Sequence, residues 1–211
     1  MAIKKQIRQM KELINTILLL IAVIDPLGSI PVYLEATKHF DKIHKRKIAI
    51  NASITAFLVL LFFIVVGQII LEGMDITLEA FQISGGVILF LFALTMIFGE
   101  GKPESEKHLI KDYKHVTVFP VAVPSIASPG AIMAVVLLTD NHIYSLNQQV
   151  TTTLMLLIVV TITCILLLAS NFIHKRIGES GIIVISKIMG LILASYAAQS
   201  ILSGVKEFFM N

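Results

Sequence analysis

Charged residues, cysteine and tryptophan are scarce in this sequence of 211 residues. Only 15% of the residues are charged and 56% are hydrophobic, with a mean hydropathy of +0.86, whereas soluble domains carry about 25% charged residues. A chain of 23.2 kDa has too much surface to bury this apolar excess in a globular core. The composition therefore argues against a soluble enzyme, a disordered chain, a coiled coil or a nucleic-acid-binding module.

Candidate ligands for a metal or a cofactor are also scarce. The single cysteine, Cys164, excludes a disulfide within the chain and a metal site built from cysteines. All six histidines lie in or beside polar stretches, so the serines of the apolar stretches have no histidine partner there. The sequence motifs of metalloproteases, phosphate loops and dinucleotide sites are missing. We therefore expect no enzyme activity, no catalytic residues, no metal and no cofactor.

Long apolar stretches are abundant instead, and a membrane-spanning helix requires about 20 such residues. The first stretch is interrupted at residues 25–28, and the fourth by prolines at 120, 124 and 129. The connections are short, so residues 1–211 are predicted to form a single all-α membrane domain whose main partner is the lipid bilayer. The six predicted spans cover residues 13–36, 48–71, 78–98, 116–139, 150–172 and 182–202.

Basic residues predict the orientation of the chain. Of the 17 lysine and arginine residues, 12 lie in the loops at 37–47, 99–115 and 173–187, and five lie at the termini. Cytoplasmic loops are enriched in lysine and arginine. The pattern therefore predicts that both termini lie outside the cytoplasm, which in a bacterial inner membrane is the periplasmic side.

Similar features recur in the two halves of the sequence. Asp25-Pro26 in the first span and Ser128-Pro129 in the fourth are 103 residues apart, and Gly85 and Gly190 are 105 residues apart. Each half contains three spans, an odd number, so the halves have opposite orientations. We predict two inverted three-helix repeats, at about 11–98 and 116–208, with helices 1 and 4 broken; this arrangement is typical of secondary transporters.

The residues at both interruptions predict the start of a half-helix inside the membrane. Aspartate and serine are favoured N-cap residues, and proline is favoured directly after the cap. Two helix N-termini that meet near the midplane would present free N–H groups to a carboxylate. The predicted substrate-binding residues are Asp25, Pro26, Leu27, Gly28, Ser128, Pro129 and Gly130 at the breaks, and Ser84, Gly85 and Gly86 in the third span.

Asp25, the acidic residue in the interior of a span, has two interpretations. An acidic group there costs roughly 2.5–3.5 kcal/mol on insertion scales, so it is often functional. Asp25 could couple a proton or another cation, or contact a substrate ammonium, but it could also be only a structural N-cap. The glycines have similar alternatives: Gly28 and Gly130 favour substrate approach, whereas Gly85 and Gly86 favour helix packing.

These motifs resemble those of the MarC family of bacterial inner-membrane proteins. The resemblance rests on residues 25–31, 83–91, 120–132 and 189–193 and covers nearly the whole chain. The chain is most similar to family members with aspartate at position 25, where many others have asparagine. Ser128 departs from the glycine that is usual there. The resemblance implies transport of small neutral amino acids such as glycine and alanine, with proton coupling.

The residues and the resemblance together favour a secondary transporter of small neutral amino acids that works by alternating access. Two alternatives remain open at this point: a channel or passive exporter of small solutes, and a membrane scaffold or regulatory protein that transports nothing. An intramembrane enzyme ranks behind these, because the sequence offers no catalytic pair. The sequence leaves open the direction of transport and the oligomeric state.

Overall fold

A computed structural model describes residues 2–99 and 113–210, with the side chains of 2–9, Leu78 and Glu179 left out. Within these residues the regular structure is entirely helical. The elements are α1 (Ala2–Ile24), α2 (Ser29–Thr37), α3 (Lys42–Gly73), α4 (Leu78–Phe98), the short α5 (Tyr113–Val116), a π-helical segment (Thr117–Ile126), α6 (Pro129–Leu138), α7 (Leu146–Leu168) and α8 (Ser170–Met210).

Five helices are long and apolar enough to cross a membrane. A sixth span results if the bent pair Tyr113–Ile126 and Pro129–Leu138, whose axes differ by 58°, is counted as one. The predicted all-α membrane fold is therefore confirmed, and both interruptions occur where the sequence places them. The five candidate spans without a sharp bend, the first of which contains the first break, are Met10–Thr37, Lys42–Gly73, Glu79–Phe98, Leu146–Leu168 and Ser180–Met210.

The first span, which contains the first break, occupies the centre of the molecule. Its most apolar window is 61% buried, against 22–39% in the other four continuous spans. Large side chains on α3 and α7, such as Phe62 and Leu154, point outward and are more than half exposed. Irregular backbone survives in a bilayer only where protein or a polar cavity surrounds it. The central position of α1 and α2 satisfies this condition.

The fifth predicted span differs from the observed helix, because α7 ends at Leu168 rather than at 172. The sixth span begins at Ser180, close to the predicted 182, but helix α8 as a whole already begins at Ser170. Residues 170–177, called the arm below, form a helical segment before a bend at Gly178, where φ is +74°. Glycine adopts this conformation at little cost. The sequence-based bounds treated the arm as a loop because its charged residues interrupt the apolar pattern.

Helices α4 and α8 pack closely through small residues. A Cβ atom on Gly86 would lie 3.1 Å from the carbonyl oxygen of Ala197, and one on Gly190 would lie 3.2 Å from that of Ala93. Small residues allow helix backbones to approach each other in membranes. Gly86 comes before Ala93 along α4, but its contact Ala197 comes after Gly190, the contact of Ala93, along α8. The two helices therefore run antiparallel. Gly86 and Gly190 are 104 residues apart, as are Ala93 and Ala197.

Candidate functional site

The first break is a tight turn between α1 and α2. Asp25 has a φ of +46°, a conformation that aspartate adopts more readily than most residues. Its N–H donates to the carbonyl oxygen of Ile21 (2.9 Å), so Asp25 ends α1. The α2 helix begins at Ser29, not directly after Asp25 as predicted. The capping prediction needs correction for this reason: a turn over residues 26–28 separates Asp25 from the second half-helix.

The Asp25 carboxylate nevertheless stabilises the start of that turn. Its Oδ1 atom accepts a hydrogen bond from the Gly28 N–H at 3.0 Å and another from Ser186 Oγ at 3.3 Å. Asp25 is only 2% exposed. Since a buried carboxylate without partners is strongly unfavourable, these two donors explain how Asp25 is tolerated here.

Gly28 provides the space for this carboxylate. Its backbone is ordinary helix (φ −67°, ψ −15°), so the residue is not required by an unusual turn conformation. A Cβ atom at this position would overlap the Asp25 carboxylate and lie 2.9 Å from Ser186 Oγ. Glycine therefore allows the carboxylate to approach the backbone. In this conformation Asp25 and Ser186, rather than open space, lie where a substrate would approach Gly28.

The second break has the local structure that the sequence predicts. Ser128 is extended (φ −71°, ψ 158°), its side chain accepts from the N–H of Ala131 at 3.1 Å, and Pro129 is the first residue of α6. Upstream, Phe119 and Val123 have extended backbones within the π-helical segment. Each precedes a proline, which disfavours helical geometry for the residue before it.

The two breaks contact each other directly. Ser128 Oγ donates to the carbonyl oxygen of Val23 at 3.2 Å. Ser29 Oγ lies 3.1 Å from the carbonyl oxygen of Asp25 and 3.4 Å from that of Ser125. Asp25, Ser29, Ser125 and Ser128 are each at most 3% exposed. The predicted meeting of the two interruptions is present, and it forms a buried polar cluster that is closed to the surface in this conformation.

The other predicted residues near the breaks have different surroundings. Pro26 is buried and Leu27 packs half-buried against the core, whereas Pro129 is exposed. Gly130 is buried, and a Cβ atom there would lie 3.2 Å from Leu89 Cδ2. The structure therefore places Gly130 in the contact between α6 and α4.

The third-span residues are less closely associated with the breaks. Ser84 is exposed, and its hydroxyl donates to the carbonyl oxygen of Phe81 within its own helix. A Cβ atom on Gly85 would lie 2.5 Å from Met133 Cε on α6, and Gly86 faces α8. Both glycines therefore pack against a neighbouring helix in this conformation, as the helix-packing interpretation expects. These contacts do not bring Ser84 or Gly86 to the Asp25–Ser128 cluster.

Sequence reasoning missed Ser186 and Gln82. Ser186 is 6% exposed and connects α8 to Asp25 across 161 positions of the chain. Gln82 lies 104 residues before Ser186, and within the described residues its Oε1 atom is buried without a hydrogen-bond partner. The sequence signal that could have found them is one polar residue in the third predicted span and one in the sixth, separated by nearly the same distance as the two breaks. Among the described residues, no three acidic, histidine or cysteine side chains form a group that could hold a metal.

The breaks, their caps and the helices around them lie within a sequence region that matches a known family. The model of the MarC family integral membrane proteins matches residues 10–209. The chain belongs to the MarC family. The family assignment made from the motifs is thereby confirmed.

Several similar proteins cover this MarC-family chain almost completely. A UPF0056 membrane protein of Buchnera aphidicola from Acyrthosiphon pisum is 34% identical, over 96% of this chain and all of the relative. The UPF0056 inner membrane protein YhgN of Escherichia coli K12 is 34% identical over 93% of this chain and 98% of its own length. A UPF0056 membrane protein of Aquifex aeolicus is 32% identical over 94% of both chains. No solved structure matches the chain. The predicted inner-membrane location agrees with the name of the Escherichia coli relative.

Proposed function

We propose that this MarC-family protein is a secondary transporter of small neutral amino acids. The observation that carries the proposal is the direct contact of two broken spans in a buried polar cluster, through Ser128 and Val23 and through Ser29 and Ser125. Irregular backbone inside a membrane exposes polar groups that a small polar solute can bind. A helix kink with only a structural role does not need a second broken span in contact with it.

The polar groups around the cluster fit both ends of an amino acid. The positive ends of the α2 and α6 helix dipoles favour the substrate carboxylate. In this conformation the N–H groups of Gly28, Ser29 and Ala131 are bonded within the cluster, so a substrate would replace these internal acceptors. The Asp25 carboxylate is an acceptor for an ammonium group. The glycines around the breaks leave little room, because Gly130 and Gly28 already contact neighbouring side chains. This favours small side chains on the substrate, such as those of glycine, alanine and serine.

Transport by this cluster requires a second conformation. Asp25 and Ser128 are nearly inaccessible here, so the described state corresponds to a closed one. We propose that two inverted halves open the cluster alternately to each side of the membrane. The equivalent contacts of Gly86 with Ala197 and of Gly190 with Ala93 support a twofold relation between the halves.

Proton coupling is proposed for Asp25. A carboxylate at this depth can take up a proton when the cluster opens to one side and release it on the other. Asparagine in its place keeps an oxygen that can accept from Gly28 and Ser186 but cannot exchange a proton. We therefore expect Asp25→Asn to fold and to lose stimulation of uptake by a pH gradient.

The test is uptake of labelled glycine, alanine and serine into proteoliposomes, with and without an imposed pH gradient. The proposal predicts saturable uptake that the gradient stimulates, and loss of that stimulation in Asp25→Asn. Asp75→Asn is the matched control, since Asp75 is exposed in the loop after α3. Saturable but gradient-independent uptake would disprove coupling. Non-saturable flux would favour a channel, and no flux with no binding would favour a scaffold.

We also propose that both termini lie on the periplasmic side. Lys42 at the start of α3 and Ser170 at the start of α8 line one cavity, so the basic residues that follow them lie near the end of α3 opposite the Leu71–Leu78 connection. A reporter that is active only outside the cytoplasm, fused after residue 211, should be active. A reporter inserted in the 37–47 loop should be inactive, and the reverse pattern would overturn the proposed orientation.

A further inference from the structure

A second polar site lies where two basic loops meet, away from the breaks. A cavity of about 380 Å³ opens between the end of α2, the first turn of α3 and the junction of α7 with α8. Its volume falls within the range of ligand pockets, about 300–1,000 Å³. We refer to it as the basic-end pocket. Its cationic lining consists of Lys42, Lys45 and Arg46.

These three cations lack acidic partners in the described part of the chain. The ion pairs found there join Lys38 with Glu35, His44 with Asp41 and His142 with Asp140. Neither α3 nor α8 has an acidic residue in its first turn. Three cations therefore line the basic-end pocket without direct ion pairs, and the nearest acidic residue along α3 is its N-cap, Asp41, whose carboxylate bonds His44.

The pocket also contains the N-terminal turns of two long helices. Lys42 begins α3 and Ser170 begins α8, and both residues line the cavity. The first N–H groups of a helix lack partners within the helix and carry a partial positive charge. The Asp41 side chain caps the start of α3 by accepting from the His44 N–H, and the arm begins at Ser170, so the partial positive charge of these two ends adds to that of the three cationic side chains.

A hydroxyl group in the wall is positioned to meet a ligand. Ser170 is 1% exposed and lines the pocket. No hydrogen bond to another described residue is found for its hydroxyl, which faces the cavity. In contrast, the Tyr33 hydroxyl in the same wall donates to the carbonyl oxygen of Lys45 at 2.9 Å and holds α2 against α3. The Ser170 hydroxyl is therefore available to a ligand, whereas that of Tyr33 is not.

The surroundings of the basic-end pocket include an exposed apolar surface. Leu168 forms an apolar part of its wall and is 44% exposed. The arm that continues from Ser170 exposes Phe172 and Ile177 together with two basic residues, a pattern typical of helices at the membrane surface. A ligand here meets a cationic site and an apolar surface side by side. A phospholipid has both parts, whereas inorganic phosphate has only the charge.

We propose that the basic-end pocket binds the phosphate of an anionic phospholipid headgroup. Lys42, Lys45 and Arg46 neutralise the phosphate, and the Ser170 hydroxyl donates to one of its oxygens. The glycerol and the start of the acyl chains lie against Leu168 and the arm. This site is separate from the Asp25–Ser128 cluster, and the proposal is independent of the transported substrate.

The test measures binding of phosphatidylglycerol to the full-length purified protein by native mass spectrometry, with phosphatidylcholine as the uncharged comparison. The triple variant K42Q/K45Q/R46Q should lose affinity for phosphatidylglycerol by about tenfold or more. The matched control is K38Q/K47Q/K175Q, which removes the same charge from the same end but leaves the pocket lining intact. It should lose about threefold or less. Equal losses in the two triple variants would reduce the site to diffuse charge and overturn the proposal.

A single substitution tests the proposal even if the triple variant misfolds. Ser170→Ala changes no charge and should lower phosphatidylglycerol affinity by about fivefold, because one hydrogen bond is lost. Unchanged affinity in Ser170→Ala would overturn the proposal even if the triple variant does not fold. The last experiment adds inorganic phosphate to the lipid-bound protein and, separately, in place of the lipid. If it displaces the lipid completely and raises the melting temperature as much as the lipid does, the ligand is free phosphate and the lipid assignment is wrong.

Discussion

The two breaks start from similar sequences but are built differently. At the second break Ser128 is a simple N-cap, extended and followed directly by a helix that begins with proline. At the first break Asp25 has a positive φ, ends the preceding helix and is separated from the next helix by a turn. The Ser128 side chain caps its own helix and bonds Val23 of the first span, whereas the Asp25 carboxylate bonds the turn at Gly28 and Ser186 in α8.

This difference indicates a division of labour between the breaks. A serine cap bends the chain without charge, and Asn, Asp and Ser serve equally well in that role. A carboxylate adds nothing to a bend that serine could not provide. The extra cost of burying Asp25, and the glycine and serine that accommodate it, mark the first break as the chemically specialised one.

The largest expected effect distinguishes the two glycines that follow the breaks. Gly28→Ala places a Cβ atom on the Asp25 carboxylate and should destabilise the protein by about 2–3 kcal/mol, as overpacking does. Gly130→Ala meets only Leu89 and Phe92 side chains at 3.2 Å and beyond, and should cost about 1 kcal/mol. Thermal unfolding in detergent measures both. Equal effects would show that the first break is no more tightly constrained than the second.

The next effect concerns the Asp25 carboxylate itself. Asp25→Ala leaves the Gly28 N–H and the Ser186 hydroxyl without their acceptor, which should cost about 1–3 kcal/mol. Asp25→Asn retains an acceptor and should cost less than half of that. Because Asp25→Ala also empties the space beside Gly28, the double variant with Gly28→Ala should be less destabilised than the sum of the single variants. Additive melting data would contradict this coupling.

A smaller effect is expected at the second break. Ser128→Ala removes the cap to Ala131 and the hydrogen bond to Val23, and should destabilise the protein by about 1 kcal/mol. Ser128→Gly should cost only part of this, since glycine is an acceptable N-cap. The comparison uses the same melting assay, and an equal loss for both variants would assign the whole effect to the contact with Val23.

The smallest effect is expected from Ser29→Ala. The Ser29 hydroxyl is 3.4 Å from the Ser125 carbonyl oxygen and 3.1 Å from the carbonyl oxygen of Asp25 in its own break. Its removal should shift stability by about 0.5 kcal/mol, the low end for a hydrogen bond. A shift as large as that of Ser128→Ala would mean that the two contacts between the breaks carry equal weight.

The sequence was sufficient to predict the spans and the positions of both breaks, because helix caps, prolines and apolar length are local signals. It also predicted the Ser128 cap correctly. It could not predict the positive φ of Asp25 or its bond to Ser186, since these depend on packing between residues 161 positions apart. The inverted repeat stays a prediction. The sequence matched Gly85 with Gly190, whereas in the packing of α4 and α8 it is Gly86 whose contact, with Ala197, resembles that of Gly190 with Ala93.

The close fit of α4 against α8 has a mechanical consequence. A carbonyl oxygen lies 3.1–3.2 Å from each missing Cβ at Gly86 and Gly190, so neither helix can rotate about its axis without collision. The two helices, one from each half of the chain, therefore form a tightly packed seam. A movement of the halves that opens the breaks would pivot at this seam, and a covalent link between α4 and α8 would leave that movement intact.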